Sequence, residues 1–249
     1  MIGPAMPGPL LAELTARAAI APGIAELSFA MRSPDRLVFR AGQFVSLAVT
    51  PGEAAPEADV LPRRSYSIAS QSDAGDVLRF IIRVIPEGKA SAYLMSLPLG
   101  AQVAMTGPHG FFVLDPVHHG DVVFAATGTG IAAVMPMLGE LAARPAAERK
   151  RTLVYWGLRE EADIFARDEI EALAARAGAA LAIHLTAPGP GWSGNRGRIT
   201  PALLERLPAL AAPTFYLVGN GAMITELKRE LISRGVNRKT HIRTEAFFD

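Results

Sequence analysis

The stretch DVVFAATGTGIAAVMPML, residues 121–138, decides the fold class of the second half of the chain. It begins with an apolar run of strand length, passes through two glycines and continues as a helical pattern that extends to residue 144. The stretch approaches the length of a membrane span, but Gly128, Gly130 and Pro136 interrupt it. We therefore interpret it as a strand, a turn and a helix, and we expect no membrane span.

The rest of the second half continues this alternation of strands and helices. Such an order predicts a parallel sheet with helices on both faces, which is the doubly wound α/β class. Strands are predicted at 152–157, 180–187, 214–219 and 240–248, and helices at 167–178, 200–207 and 221–235. A ligand of such a sheet lies outside the carboxyl ends of the parallel strands.

The first part of the chain follows a different pattern. Short strand-like segments are separated by Pro, Gly and Asp clusters at roughly ten-residue spacing, which is typical of an antiparallel β-barrel or sandwich. Strands are predicted at 10–20, 24–31, 44–50, 64–70, 77–84 and 102–107, with one helix at 89–97. We therefore predict a β-barrel domain over residues 1–115, followed by an α/β domain over residues 116–249.

The composition excludes several classes of function. A net charge of +1 with 20% charged residues gives no electrostatic reason to expect binding to nucleic acid or to an anionic membrane. The absence of cysteine excludes disulfides, thiolate catalysis and an iron–sulfur cluster carried by this chain. The five histidines lack metal-ligand spacing, so we predict no metal site. The N-terminus has no signal-peptide pattern, and we expect a cytoplasmic protein.

Three of the predicted parallel strands end in glycine, in ATGTG (126–130), WGLR (156–159) and VGNGAM (218–223). Glycine at a strand-to-helix turn lets a ligand approach the backbone, and the following helix offers free N–H groups to an anion. ATGTG also fits the pattern G-x-G-x-x-[GA], but the acidic residue expected about twenty positions later is missing. The alternative is that these glycines serve only the conformation of tight turns.

The stretch RRSYSIAS, residues 63–70, has an arginine pair at the start of a predicted strand. In a strand, Arg64, Tyr66 and Ile68 share one face, and the two serines between them share the other. RSYS (64–67) resembles a flavin-binding motif of the ferredoxin–NADP⁺ reductase family. Five further stretches resemble motifs of the same family, in the right order along nearly the whole chain: GKAS (88–91), GPHGFFVL (107–114), ATGTGIAAVMPML (126–138), GNRGRIT (194–200) and LVGNGAMI (217–224).

The resemblance implies a bound FAD, with NADH or NADPH as electron donor. Arg64 would bind the flavin pyrophosphate, Tyr66 would lie on the isoalloxazine ring, and Ser67 would be a catalytic residue beside flavin N5. The other implied flavin contacts are Ser65, Arg83, Val84, Gly88, Lys89, Ala90 and Ser91. The implied contacts of the pyridine nucleotide are Thr127, Gly128, Thr129, Gly130, Gly157, Arg159, Gly219, Asn220 and Met223.

The C-terminal stretch RTEAFFD, residues 243–249, departs from the endings of the family. The resemblance implies that Glu245 is the catalytic carboxylate near the nicotinamide, and that Phe247 or Phe248 covers the second face of the flavin. The alternative is a hydrophobic C-terminus that packs on the barrel. A further departure is Val218, which stands where the family has a cysteine near the nicotinamide.

The function implied by the resemblance is hydride transfer from NAD(P)H to FAD, followed by electron transfer to a separate carrier: a ferredoxin, a flavodoxin or an oxygenase component. Three carboxylates (Glu160, Glu161, Asp163) close to Arg159 would repel the 2′-phosphate of NADPH, so NADH is the favoured donor. A basic docking patch for the carrier has candidates in Arg32, Arg36, Arg40, Arg63 and Lys89, which are equally well explained as scattered solvated charges.

We expect a monomer. Two other functions stay open at the level of the sequence. One is a reductase that uses free flavin as a substrate. The other is a flavin-carrying electron-transfer or regulatory subunit that does not turn over on its own.

Overall fold

The structure, a computed structural model, describes residues 10–49, 62–117 and 119–247. The elements of the first half are β1 (Leu10–Ala21), β2 (Ile24–Ser33), β3 (Phe44–Ala48), β4 (Arg63–Ser67), β5 (Val77–Arg83), α1 (Lys89–Ser96) and β6 (Gln102–His109). The six strands form one antiparallel sheet in the order β4-β3-β6-β1-β2-β5. Just beyond β4, the Ala69 N–H donates to the Arg79 carbonyl in β5 at 2.8 Å, so the two edges of the sheet meet and close a barrel.

Alternating side chains of these strands fill the barrel. Val45 and Leu47 of β3 and Phe80 of β5 are fully buried in its core. Tyr66 of β4 is half-buried against the same core, with its ring centroid 6.5 Å from that of Phe80. The two faces of β4 therefore divide as its sequence predicts, and Ser67 lies on the face that points away from the barrel core.

The second half is a parallel sheet with helices between its strands. Its elements are β7 (Val122–Thr127), α2 (Ile131–Ala143), β8 (Thr152–Leu158), α3 (Arg167–Ala177), β9 (Ala179–Leu185), β10 (Asn195–Arg196), α4 (Ile199–Arg206), β11 (Thr214–Asn220), α5 (Gly221–Ser233), α6 (Arg238–His241) and β12 (Ile242–Phe247). The strand order is β10-β9-β8-β7-β11-β12, and every pairing in this sheet is parallel.

Helices cover both faces of the parallel sheet. Helices α2 and α3 pack on one face, and α4 and α5 pack on the other. The apolar core under α2 and α3 also includes Ala69, Ile81 and Phe112 from the barrel half. The two halves therefore share one apolar contact surface, and the carboxyl ends of the parallel strands lie next to the barrel.

The predicted fold class, an antiparallel barrel followed by a doubly wound α/β unit, is confirmed. Several predicted ends differ from the structure by two or three residues, and two of these differences lie at the strands that carry the site. Strand 64–70 stops at Ser67, because the chain then leaves β3 to pair with β5. The last strand begins at Ile242 rather than residue 240, because the Asn237 side chain caps the short helix α6. The two-residue strand β10 was not predicted.

Helix α2 continues through Pro136, which lies inside it. An interior proline removes one helical hydrogen bond, and here the burial of nine residues of the helix outweighs that loss. The longest helices in the described ranges, α2 and α5, have 13 residues each, and none there combines the length and hydropathy needed to cross a membrane.

Candidate functional site

Ser67 and Glu245 meet where the barrel faces the parallel sheet. The Ser67 hydroxyl donates a hydrogen bond to Glu245 Oε1 at 2.9 Å, across 178 residues of sequence. Strand β4 supplies the serine, which is 9% exposed, and β12 supplies the carboxyl group. The structure thus brings together the two residues predicted to be catalytic, and we refer to this pair as the reactive end of the site.

The Glu245 carboxyl group lies in a partly buried environment. Burial raises the pKa of Glu245 to about 7, and the hydrogen bond from Ser67 opposes that rise only in part. A β carbon at Gly110 would lie 3.0 Å from the Phe44 ring and 3.5 Å from Glu245 Oε2. Because of this close approach, Gly110 leaves the carboxyl group room beside the aromatic ring.

Sequence reasoning missed Phe44 and the role of Gly110. Phe44 is paired with Ser67 across the β3–β4 ladder, and its ring centroid lies 5.6 Å from that of His109. The quoted stretch GPHGFFVL contains Gly110, so its position was visible in the sequence. Nothing in the sequence indicates Phe44, because its place at the site depends on the register of two strands.

The other end of β4 presents a positive charge. Arg64 is exposed, and its guanidinium donates to the Arg63 carbonyl at 2.9 Å. Within the described part of the chain, no carboxylate forms an ion pair with Arg64. Tyr66, on the same face of β4, has its pKa raised by burial. Ser65 lies on the opposite face, where its hydroxyl is 3.0 Å from that of Ser46.

Helix α1 has an uncapped N-terminus, and its residue Ala90 packs on the same barrel core as Tyr66. Gly88 is its N-cap and offers no side chain to the first N–H groups of the helix. The Ser91 hydroxyl is buried, and lies 3.1 Å from the Ile85 N–H, from the Ile85 carbonyl and from the Gly88 carbonyl. The predicted contact Ser91 therefore closes its own turn. We refer to Arg64 and the start of α1 as the phosphate end of the site.

The residues around that turn vary in exposure. Arg83 and Lys89 are exposed, while Val84 and Ala90 are half-buried and pack on the barrel core. The Val84 N–H is engaged with the Gly23 carbonyl at 2.8 Å. An exposed guanidinium and an uncapped helix N-terminus are donors suited to a diphosphate, so the residues present fit the diphosphate of FAD.

The glycines at the ends of the parallel strands fall into two groups. Gly128 has φ +54°, and a β carbon there would meet nothing within 4 Å. A β carbon at Gly130 would lie 2.9 Å from the Val218 carbonyl, and one at Gly219 only 2.5 Å from Thr127 Oγ1. Gly130 and Gly219 thus serve the packing of neighbouring turns, whereas Gly128 faces open space where a nucleotide phosphate could approach.

Two side chains fix the shape of this turn. The Thr127 hydroxyl accepts from the Asn220 N–H at 2.8 Å and so joins the ends of β7 and β11. The Trp156 indole N–H donates to the Gly128 carbonyl at 3.0 Å. Thr129 between the two glycines is half-buried. The predicted nucleotide loop is therefore held by its neighbours before any ligand arrives.

The remaining predicted nucleotide contacts lie at the same edge of the sheet. Gly157 makes room for its neighbours, since a β carbon there would lie 3.1 Å from Ile199 Cγ2. The Met223 N–H donates to Asn220 Oδ1 at 3.0 Å, which caps α5, and the Met223 side chain is half-buried against the core under α4 and α5. Arg159 follows β8 and is exposed.

The acidic residues near Arg159 are engaged with the backbone. The Asp163 carboxylate accepts from the N–H groups of Arg159 and Glu160 at 3.2 and 3.1 Å. The Glu161 carboxylate accepts from the Gly189 N–H at 3.0 and 3.1 Å, and this bond lowers the pKa of Glu161. These carboxylates therefore cap local turns as well as carrying charge.

The aromatic C-terminus is only partly described. Phe247 is half-buried and packs against the core shared by the two halves, while Phe248 lies outside the described residues. Val218 is fully buried in that core, beside Glu245 in the β11–β12 register. In the described ranges, no group of three or more His, Asp or Glu residues has a geometry suited to a metal ion.

Two family models match this chain. One, described as an oxidoreductase FAD-binding domain, matches residues 11–114, and the other, an oxidoreductase NAD-binding domain, matches residues 124–229. The first match covers the barrel strands with the phosphate end, and the second covers the strand-end glycines.

Related proteins match along most of their length. Ferredoxin–NADP reductase B of Sorangium cellulosum is 35% identical over 248 residues, covering 96% of this chain and 98% of that protein. NADH-cytochrome b5 reductase 1 of Aspergillus terreus is 31% identical over 228 residues, covering 88% and 75%. The structure of a ferredoxin NADP⁺ reductase from Neisseria gonorrhoeae superposes with a TM-score of 0.78 at 21% identity, covering 96% and 98%, which shows a common fold.

Proposed function

This chain belongs to the ferredoxin–NADP⁺ reductase family of FAD- and NAD(P)H-dependent oxidoreductases, and on that premise we propose that it delivers electrons to a separate carrier protein. FAD, when bound, accepts hydride from the nicotinamide and can release its electrons singly. A ferredoxin is the first candidate for the carrier, because the relative matched over 98% of its length is named for it. The observation that supports this function most directly is the hydrogen bond from Ser67 to Glu245.

We assign the flavin to the barrel half, residues 1–115, and the nucleotide to residues 116–249. Arg64 and the N-terminus of α1 would hold the diphosphate, and Tyr66 would lie along the flavin ring. Arg83 and Lys89 add positive charge near the same turn. This assignment is supported by the exposure of Arg64 and by the uncapped helix start at Gly88.

At the reactive end, the chain's own groups hold and move a proton. A carboxyl group with a pKa of about 7 exchanges its proton readily near neutral pH, and Ser67 connects it to the face of β4 where the flavin ring would end. Val218 and Phe247 add apolar surface behind this pair, which keeps water away from the reacting atoms. Glu245 would therefore act as the proton reservoir and Ser67 as its hydrogen-bonded link.

The nucleotide would bind across the ends of the parallel strands. Gly128 gives a phosphate access to the backbone, and the N-terminus of α2 is favourable for negative charge. The turn is already braced by Thr127 and Trp156, so little ordering is required on binding. Asn220 and Met223, at the start of α5, would border the nicotinamide end.

NADH is the donor that we propose first, on the sequence pattern around residues 194–200 and the acidic residues after Arg159. Arg159 is the residue that would bind the 2′-phosphate of NADPH, because its side chain is exposed. The nearby carboxylates Glu161 and Asp163 accept hydrogen bonds from backbone N–H groups instead. Replacement of Arg159 by alanine tests this. If Arg159 binds a 2′-phosphate, the KM for NADPH rises about tenfold while that for NADH stays within about twofold.

The surface that would meet the carrier has few basic residues that are not already engaged within the chain. Three of the five basic residues considered for docking are engaged within the chain: Arg32 pairs with Glu13 at 3.0 Å, and Arg36 and Arg40 donate to backbone carbonyls. A cytochrome b5-type haem protein is the second candidate for the carrier, because the Aspergillus relative is named for that acceptor.

The function is tested by an anaerobic visible spectrum of the purified chain, followed by mixing with NADH and with NADPH. A bound flavin spectrum that bleaches is expected, and adding oxidised ferredoxin should restore it. A colourless chain that reduces added free flavin would contradict tight FAD binding. A yellow chain that neither nucleotide bleaches would instead identify a subunit that does not turn over alone.

A further inference from the structure

We propose that Arg79 is a positioning residue, which ties the barrel to helix α3 and thereby sets the distance between the flavin strand and the nucleotide loop. The proposal deepens the proposed function and rests on it. Arg79 lies on β5 of the barrel, and its guanidinium contacts two carboxylates, Glu26 on β2 and Glu169 on α3. We refer to these three residues as the Arg79 cluster.

The geometry of the cluster is that of a two-sided clamp. Arg79 NH1 donates to Glu169 Oε1 at 2.8 Å, and NH2 donates to Glu169 Oε2 at 3.0 Å, so the contact between the halves is bidentate. NH2 also donates to Glu26 Oε2 at 2.6 Å, which fixes the guanidinium from the barrel side. A planar guanidinium held by two acceptors has little freedom to rotate, so the clamp defines an orientation as well as a distance.

The backbone of Arg79 connects the clamp to the flavin strand. Its carbonyl accepts from the Ala69 N–H at 2.8 Å, and its N–H donates to the Ser70 hydroxyl at 3.2 Å. Both partners follow directly on β4, which ends at Ser67. A shift of Arg79 relative to the second half would therefore displace Ser67, which lies two residues before Ala69.

Glu169 connects the clamp to the nucleotide loop. It lies in the first turn of α3, and the next residue, Ile170, is fully buried in the core where α3 packs beside α2. Helix α2 starts directly after the turn at Gly128. One ion-pair cluster thus lies between the strand assigned to the flavin and the helix pair assigned to the nucleotide.

The apolar contact between the halves does not provide this orientation by itself. Close to the clamp, Gln71 of the barrel lies over Gly139 of α2, where an added β carbon would be 1.7 Å from Gln71 Oε1. This close packing limits how near the two halves can approach, and the hydrogen bond from the Gln71 side chain to the Met135 carbonyl is long, at 3.5 Å. Apolar contact is non-directional, whereas the bidentate pair of Arg79 and Glu169 is directional. We therefore assign the orientation at this side of the interface to the Arg79 cluster, and the hydrogen bond from Ser67 to Glu245 is the directional contact at the reactive end.

The test uses the FAD-loaded chain and the variant Glu169→Gln, with Glu171→Gln as its matched control. Glu171 is on the same helix and pairs with Arg167 at the same 2.8 Å, but that ion pair stays within α3. Misplacement by 1 Å can cost about 100-fold in rate. For a loosened clamp we expect the limiting rate of flavin reduction by NADH to fall about fivefold in Glu169→Gln and to stay within about 1.5-fold in Glu171→Gln.

Two readouts separate positioning from a general loss of stability. The dissociation constant for the nucleotide should stay within about twofold, while the absorbance of the stacked nicotinamide–flavin complex should weaken in Glu169→Gln. Raising the ionic strength should slow wild type toward the rate of Glu169→Gln and leave that variant unchanged, because the cluster side chains are 25–40% exposed and screened by salt.

A measurement on flavin-free protein keeps the proposal independent of turnover. Hydrogen exchange at residues 69–71 and 78–80 should be faster in Glu169→Gln than in wild type, and unchanged in Glu171→Gln. Equal exchange and equal reduction rates in the two variants would overturn the proposal. If neither nucleotide reduces even the wild type, the proposed function fails, and the exchange comparison still decides whether the clamp orders the interface.

Discussion

The two ends of the candidate flavin site are built in opposite ways. At the reactive end, the hydrogen bond from Ser67 to Glu245 joins residues 178 positions apart. At the phosphate end, the Ser91 hydroxyl bonds only to groups three and six positions away. Both serines come from motifs of the same family, yet one hydroxyl links two sheets and the other closes a single turn.

The two ends should therefore respond differently to substitution. A change at the reactive end should alter chemistry and the pH response while leaving cofactor binding intact. A change at the phosphate end should alter cofactor binding or the local turn and leave the chemistry of the loaded protein intact. Substitutions at the two ends should therefore separate these two sets of effects.

The largest effect is expected for Glu245→Gln. Glutamine keeps the size of the side chain but cannot exchange a proton near neutral pH, so the limiting rate of flavin reduction should fall about 100-fold. The affinity for FAD should change less than about twofold, since the diphosphate donors are untouched. Stopped-flow bleaching and a flavin titration measure the two quantities. The control is Glu230→Gln, which changes a half-buried carboxylate of α5 that pairs with Arg234; a similar loss of rate there would show that the effect is not specific to the site.

The second effect concerns Arg64→Met. Loss of a guanidinium that hydrogen-bonds the diphosphate should raise the FAD dissociation constant about 30-fold, equivalent to about 2 kcal/mol. The reduction rate of the fraction that retains FAD should match wild type. Arg229→Met on the exposed face of α5 is the control. An unchanged FAD affinity in Arg64→Met would contradict the assignment of the phosphate end.

How much of this could be predicted depends on the range of the interactions. The strand and helix alternation, the faces of β4 and the glycine turns follow from local patterns, and they were predictable. The ends of β4 and β12 were not, because pairing with β5 and the cap at Asn237 fix them. Local patterns carry no information on which distant strand becomes a neighbour.

The same distinction between local and long-range interactions applies to the residues of the site. A family resemblance assigned Ser67 and Glu245 to the site one by one. Their hydrogen bond to each other was not predicted, since no spacing rule relates residues so far apart. Phe44 was missed because its position beside Ser67 is a consequence of the β3–β4 register. The glycines were recognised in the sequence, but their different roles were not. A side chain at Gly219 would collide with Thr127, whereas Gly128 faces open space. A motif identifies a residue type, whereas its neighbours determine what that residue does.

The third effect is a pH dependence of stability that belongs to the reactive end alone. The folded protein raises the pKa of Glu245 from 4.5 to about 7, so between these values the folded state holds a proton that the unfolded state has released. Stability therefore falls as pH rises through this window. After allowance for partial exposure, the contribution is about 1 kcal/mol.

Urea unfolding of the flavin-free chain at pH 5 and pH 8 measures this contribution. The loss of unfolding free energy between the two pH values should be smaller in Glu245→Gln than in wild type by about 1 kcal/mol. The variant Glu230→Gln should not reduce it, since the pKa of Glu230 is lowered rather than raised. Equal pH dependence in wild type and Glu245→Gln would contradict a buried carboxyl group at this position.

The smallest effect is expected for Ser91→Ala, and it discriminates most sharply between the two ends. If the hydroxyl serves its own turn, the variant should lose about 1 kcal/mol of unfolding free energy, and its FAD affinity should fall only about twofold. Ser96→Ala, which removes an exposed hydroxyl bonded to the Tyr93 carbonyl on the same helix, is the control. The opposite result, a tenfold loss of FAD affinity at unchanged stability, would mean that the hydroxyl turns outward to a phosphate. The contrast between a local and a long-range serine would then fail, because Ser91 would act on the ligand directly, as Ser67 is proposed to do.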